Sequence, residues 1–102
     1  MKTKITVIYD NPQDPDVFEA GYHEQIALAS KMPGVQRVES AKVCPKEDGT
    51  PTPAYRLLDL YFTGYDAASE AVTTAQASAF VAKIRELATG GVRIVFADVE
   101  ES

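Results

Sequence analysis

A single cysteine, a single histidine and no tryptophan occur among the 102 residues. One cysteine cannot close an intramolecular disulfide, so no oxidising compartment is implied. One histidine and one cysteine leave no His/Cys spacing of the kind that holds zinc. Basic residues are also scarce, 10 Lys and Arg against 15 Asp and Glu for a net charge of −5, whereas nucleic-acid binding calls for a concentrated basic stripe. No run approaches the roughly 20 apolar residues that span a bilayer. The opening residues, Met1 to Ile8, lack the apolar core and cleavage site of a secretory signal. No glycine-rich phosphate loop occurs either, since Gly90-Gly91 follows a helical stretch instead of opening one. The expectation is a cytoplasmic protein without nucleic-acid or membrane partner, without metal and without cofactor.

What is present is ordinary globular sequence, 45% hydrophobic and 25% charged, and its length suits one domain over residues 1–102. Lys4 to Asp10 alternates, with Ile5, Val7 and Tyr9 on one face and Lys4, Thr6, Ile8 and Asp10 on the other, which predicts a strand. Asp14-Pro15-Asp16 reads as a helix start: Asp14 caps, Pro15 takes the first helical position and Asp16 favours the positive end of the dipole. That helix is expected to run to about Met32, where Pro33-Gly34 ends it. A second strand is expected over Val35 to Cys44, followed by a proline-rich loop over Pro45 to Pro53. Tyr55 to Phe62 forms the third strand. A helical region covers Tyr65 to Ala88, with a break or kink at Thr73-Thr74 and a stripe of Phe80, Ile84 and Leu87. Gly90-Gly91 stops it before a fourth strand over Val92 to Val99.

The order βαββαβ predicts an α+β protein of ferredoxin-like pattern with a four-stranded antiparallel sheet. Two helices cover one sheet face only, yet apolar residues fall on both. Leu58, Leu60 and Phe62 oppose Tyr55, Leu57 and Tyr61, and Ile94 and Phe96 oppose Val95, Ala97 and Val99. A free antiparallel face normally alternates more cleanly, so a symmetric partner packed on the sheet is expected to cover it.

Phe18-Glu19-Ala20-Gly21-Tyr22, Lys31-Met32-Pro33-Gly34-Val35, Asp59-Leu60-Tyr61-Phe62 and Ala88-Thr89-Gly90-Gly91-Val92 resemble, in matching order over nearly the whole chain, the EthD family. That family is named for ethyl tert-butyl ether degradation and belongs to the dimeric α+β barrel superfamily. The resemblance implies a homodimer formed by face-to-face sheets. It also implies a small apolar or aromatic ligand, and a cofactor-independent monooxygenase or isomerase among the possible activities. A non-catalytic ligand-binding or accessory dimer of a degradation pathway is the alternative, and a haem-binding relative a third. None of the matching stretches is a catalytic motif, so the likeness speaks to fold before chemistry.

Family members usually carry a histidine in the first helix, in a pattern like Tyr-x-x-x-His-x-Pro-Leu. Counted back from Pro33-Gly34, that slot falls on Gln25, with Ala27 in place of the proline; the histidine of this chain, His23, stands two residues earlier. At about 100° per residue, Phe18, Tyr22, Ile26, Ala29 and Met32 form an apolar stripe with Gln25 near its centre, and His23 lies towards the polar flank. Gln25 is therefore either a buried structural amide or a pocket-lining hydrogen-bonder, and an amide cannot act as a general base. His23 is either a surface residue paired with Glu19 at i,i+4 spacing or, with the helix rotated, the base of a catalytic site. Asp59, between two leucines in a central strand, is either a paired structural carboxylate or a perturbed acid or base. Tyr9 and Tyr22 either pack the core or offer hydroxyls to a ligand. The candidate set is thus His23 and Asp59 for catalysis and Tyr9, Tyr22 and Gln25 for binding. Asp10, Asp14 and Asp16 are explained by turn and capping chemistry without a metal, and Cys44 lacks a histidine neighbour to activate it.

Overall fold

The computed structural model describes residues 1–101. The elements run β1 (Thr3–Tyr9), α1 (Pro15–Ser30), β2 (Arg37–Lys42), β3 (Arg56–Phe62), α2 (Tyr65–Ala71), α3 (Ala75–Leu87) and β4 (Val92–Asp98). The four strands form one sheet in the order β2-β3-β1-β4, every neighbouring pair antiparallel. This is the expected ferredoxin-like arrangement.

Local chemistry sets the boundaries. The Asp14 carboxylate accepts from the backbone N–H of Asp16 and Val17, with Pro15 opening α1, so two of the orphan donors of the first turn are satisfied. The helix stops at Ser30, two residues before the expected end, because Lys31 and Met32 close the last turn and Gly34 turns the chain with φ +80°. The expected break at Thr73-Thr74 divides the second helical region into α2 and α3. Thr74 caps α3 by accepting from the Ala77 N–H. The second strand is shorter than Val35–Cys44, because Val35 is held in the helix-exit turn by its bond to the Met32 carbonyl and ladder pairing runs from Arg37 to Lys42.

The core lies between the helices and one sheet face, where Ile5, Val7, Tyr9, Leu58, Leu60 and Phe62 meet Phe18, Tyr22, Ala29, Phe80, Ile84 and Leu87. The helices sit close enough that a Cβ on Gly21 of α1 would stand 3.0 Å from the Leu87 side chain. The family-like Ala-Thr-Gly-Gly-Val stretch has an equally physical reason: a Cβ on Gly90 would lie 1.8 Å from the Asn11 carbonyl oxygen. Only glycine lets the turn into β4 pack against the loop leading to α1.

The opposite sheet face is more polar than the two-sided strand pattern suggested. Its rows, read across the register from β2 to β4, are Ala41-Leu57-Ile8-Arg93, Glu39-Asp59-Thr6-Val95 and Arg37-Tyr61-Lys4-Ala97. Apolar and charged side chains are thus mixed, with Glu39 and Asp59 of the middle row next to Arg37 and Lys4 of the third. Strand β4 is an edge, and Val95 on this face and Ile94 and Phe96 on the helix side are each more than 40% exposed. An edge strand that is apolar and open on both sides is a surface that natural proteins cover.

Candidate functional site

The buried stripe of α1 is Phe18, Tyr22, Gln25 and Ala29, the 4-3-4 spacing that puts side chains on one helix face. It lies on the strand-end row Lys42-Arg56-Tyr9-Val92 and the next row Ser40-Leu58-Val7-Ile94. Three of the aromatic rings interlock there. Phe18 meets Tyr9 edge-on at 5.0 Å and stacks on Tyr22 at 5.3 Å, and Tyr22 meets Tyr9 edge-on at 6.3 Å.

A charged rim closes one end of this layer. The Arg56 guanidinium lies 4.5 Å over the Tyr22 ring and grips both oxygens of the Glu19 carboxylate, with Nε donating at 3.1 Å. The Tyr55 hydroxyl donates to Glu19 at 3.0 Å, and the Lys42 ammonium lies 5.5 Å over the Tyr55 ring. The Arg56 bonds hold the Glu19 carboxyl below the usual carboxylate range, and Glu19 in turn raises Arg56. Both groups are therefore firmly ionised.

Tyr55 corrects one expectation. Counted along a straight strand it shares a face with Leu57 and Tyr61. The strand begins at Arg56, however, and the Tyr55 ring turns round the sheet end to meet Phe18 edge-on at 5.1 Å on the helix side.

Inside the rim the polar atoms are neutral. Tyr22 shares a hydrogen bond with the Ser40 hydroxyl at 2.8 Å. Tyr9 and Gln25 are 0% exposed, and neither the Tyr9 hydroxyl nor either end of the Gln25 amide has a hydrogen-bond partner. A buried polar group without a partner costs roughly 1–3 kcal/mol, so these three atoms stand out in a tightly packed layer. Burial pushes the Tyr9 phenol well above its ordinary range, with Tyr22 nearby adding to the shift, and burial likewise raises Tyr22. Both phenols stay protonated at neutral pH and serve as hydrogen-bond donors or acceptors.

The five sequence candidates divide by location. Tyr9 and Tyr22 meet under α1, and Gln25 is buried on the same helix face one turn beyond Tyr22. His23 is exposed on the outer side of that helix. Asp59 lies on the far face of the sheet, its side chain 14% exposed, accepting from the Thr6 hydroxyl and 3.6 Å from the Lys4 ammonium. The sheet therefore separates Asp59 from the aromatic layer, and the two residues considered for catalysis do not meet. Sequence reasoning missed the Glu19–Arg56 clamp and Ser40. The signal for Arg56 was its shared parity with Leu58 and Leu60, which assigns it to the helix side. Among the described residues no group of three or more His, Cys, Asp or Glu side chains is placed to hold a metal ion, and no helix is long and apolar enough to cross a membrane.

No family model matches the chain. An uncharacterised 11.0 kDa protein from the thcB–thcC intergenic region of Rhodococcus erythropolis is 33% identical over 98 residues, covering 95% of this chain and 94% of that protein. The crystal structure of an EthD family protein from Bacillus halodurans superposes with a TM-score of 0.88 at 19% identity, covering 98% of this chain and all of that one. SnoaB, a cofactor-independent oxygenase from Streptomyces nogalater, superposes at 0.67 with 16% identity, over 99% of this chain and 94% of SnoaB. A dimeric protein of unknown function and ferredoxin-like fold from Bacteroides fragilis also gives 0.67, with 17% identity over 96% of both chains. Fold and aromatic layer define a ferredoxin-like α+β protein with one helix seated over an aromatic, partly polar core. The chain belongs to one family with the uncharacterised Rhodococcus protein, and its fold is that of the EthD family protein from Bacillus halodurans.

Proposed function

We infer that this protein, a single cytoplasmic domain, binds a small, flat, largely apolar molecule between α1 and the sheet, and works as a homodimer. The observation that carries the binding reading is the presence of unpartnered polar atoms on two fully buried side chains, Tyr9 within the aromatic layer and Gln25 on the same helix face as Phe18 and Tyr22. Apolar surroundings with a few fixed polar groups are what orient small ligands. The dimer reading is supported by the open apolar sides of β4 and by the dimeric Bacteroides neighbour.

Among the two classes considered, non-catalytic binding is favoured by the position of His23. Its exposure leaves Gln25, which does not titrate, and two raised phenols as the polar groups of the layer. Glu19 is a poor base, since Arg56 and Tyr55 already hold it as the anion. A second reading, a cofactor-independent oxygenase, draws on the likeness to SnoaB. In that reading Tyr9, Tyr22 and Gln25 would orient a substrate, without a general base among them.

The binding reading is tested by titrating the 15N-labelled chain with indole. Progressive shifts at the backbone amides of Phe18, Tyr22 and Gln25 are expected. Unmoved resonances in α1 at saturating indole would sink it. Oxygen uptake in the presence of dihydroxynaphthalene, above the rate of the compound alone, would support the oxygenase reading.

A further inference from the structure

The hydrogen-bonding direction of the edge strand β4 follows from its two ends. The Gly91 carbonyl accepts from the Asp10 N–H at 3.0 Å, and the Val99 N–H donates to the Lys2 carbonyl at 2.8 Å. Both residues turn these backbone groups towards β1. Alternation along the unbroken Val92–Asp98 register does the same for Arg93, Val95 and Ala97. The N–H and C=O groups of Val92, Ile94, Phe96 and Asp98 therefore point away from the sheet, and among the described residues no strand pairs with them.

Natural edges are blunted by charge, proline or a bulge. The other edge, β2, follows that rule, with Arg37, Glu39 and Lys42 in its short run. Strand β4 has neither proline nor bulge, and its two charges are engaged within the chain. Arg93 lies 3.1 Å from Asp10, and Asp98 accepts from the Thr3 hydroxyl at 2.8 Å. Between them Ile94, Val95 and Phe96 stand open. The Tyr65 ring, also exposed, lies 6.0 Å from Phe96 and extends the apolar strip on the helix side.

The order of residues in β4 decides what fits it. Laid antiparallel on a second copy about Val95, the strand sets Val95 against Val95, Ile94 against Phe96 and Val92 against Asp98. Every outward-pointing residue then meets an outward-pointing residue of the other copy, so all the free backbone groups find partners. Apolar side chains meet apolar ones on both faces, Ile94 with Phe96 on the helix side and Val95 with Val95 on the other. A pairing centred on Phe96 would set Asp98 against Ile94, and one centred on Ile94 would leave Asp98 beyond the partner strand. We propose that two copies of the chain join edge to edge through β4, antiparallel about Val95, into one continuous sheet. This rests on the homodimer reading and assigns its contact strand and register.

Hydrogen exchange of the 15N-labelled wild-type chain, in a sample whose light scattering gives twice the chain mass, reads the free edge directly. The Ile94 and Phe96 amides are expected to exchange roughly a hundredfold or more below the unprotected rate. Unprotected exchange in a sample of dimer mass overturns the ladder and leaves the dimer; a chain of single mass overturns both. The register is read by cross-linking in a Cys44→Ser background, which removes the exposed native thiol. Val95→Cys puts two sulfurs across a non-hydrogen-bonded pair, where opposed Cβ atoms come within bridging distance. Mild oxidation is expected to convert most of that variant to a disulfide-linked dimer. Arg93→Cys, whose counterpart lies four residues away along the ladder, is expected to stay reduced. Protected amides without a Val95→Cys cross-link overturn the proposal in favour of β2 as the covering strand, and equal cross-linking at both positions overturns the register.

Discussion

The Glu19 carboxylate of α1 is held at both oxygens by the Arg56 guanidinium of β3, and Arg56 in turn covers the Tyr22 ring. This pairing ties the helix to the sheet beside the aromatic layer. Geometry of this fork kind is stronger than a single ion contact, although partial exposure of Glu19 tempers it.

Removing the clamp is expected to cost stability in a pH-dependent way. The folded Glu19 carboxyl lies below its ordinary value of 4.5. Its contribution is therefore complete above that ordinary value and fades as pH falls through the lower folded one. Urea unfolding of wild type and Glu19→Gln should differ by roughly 1 kcal/mol at neutral pH, and the difference should shrink in acid. A difference that instead grew below pH 4.5 would show that Glu19 is not held as the anion.

Gly90→Ala is expected to destabilise the chain by about 3 kcal/mol, the upper range for forced overpacking. The new Cβ would overlap the Asn11 carbonyl, and relief requires moving the loop that leads to α1. Thermal denaturation measures this directly, and a Tm close to wild type would mean the two loops are not packed as described.

Val95 and Phe96 point to opposite sides of β4 and both are open. A partner that covers this edge must meet both. Light scattering at micromolar concentration should give twice the chain mass for wild type and the single-chain mass for the Val95→Lys, Phe96→Glu double variant. A wild-type monomer would remove the homodimer reading.

Much of this fold was legible along the chain because its signals are local. Asp14-Pro15, Pro33-Gly34, Thr73-Thr74 and Gly90-Gly91 punctuate the elements through capping, φ freedom and lost helical bonds, none of which needs a distant partner. Helix periodicity likewise assigned Gln25 to the inner stripe and His23 to the polar flank. What escaped depends on contacts between remote segments. Tyr55 swings round the strand end, which simple alternation cannot anticipate. The Glu19–Arg56 clamp joins residues 37 positions apart. Glu39 and Asp59 face each other across β2 and β3, a like-charge pair that only the register reveals; Arg37 and Lys4 offset it. The mixture of charged and apolar side chains on that sheet face was hidden for the same reason.

The central claim is that Gln25 serves a ligand and not the fold. The most direct measurement is the unfolding free energy of Gln25→Leu against wild type without added ligand. Replacing an unpartnered amide by an apolar side chain of similar size relieves a desolvation cost. The variant should therefore be at least as stable as wild type, with a gain of about 1 kcal/mol expected. A loss of 2 kcal/mol or more, on the order of a broken buried hydrogen-bond network, would contradict the claim and make Gln25 a structural residue.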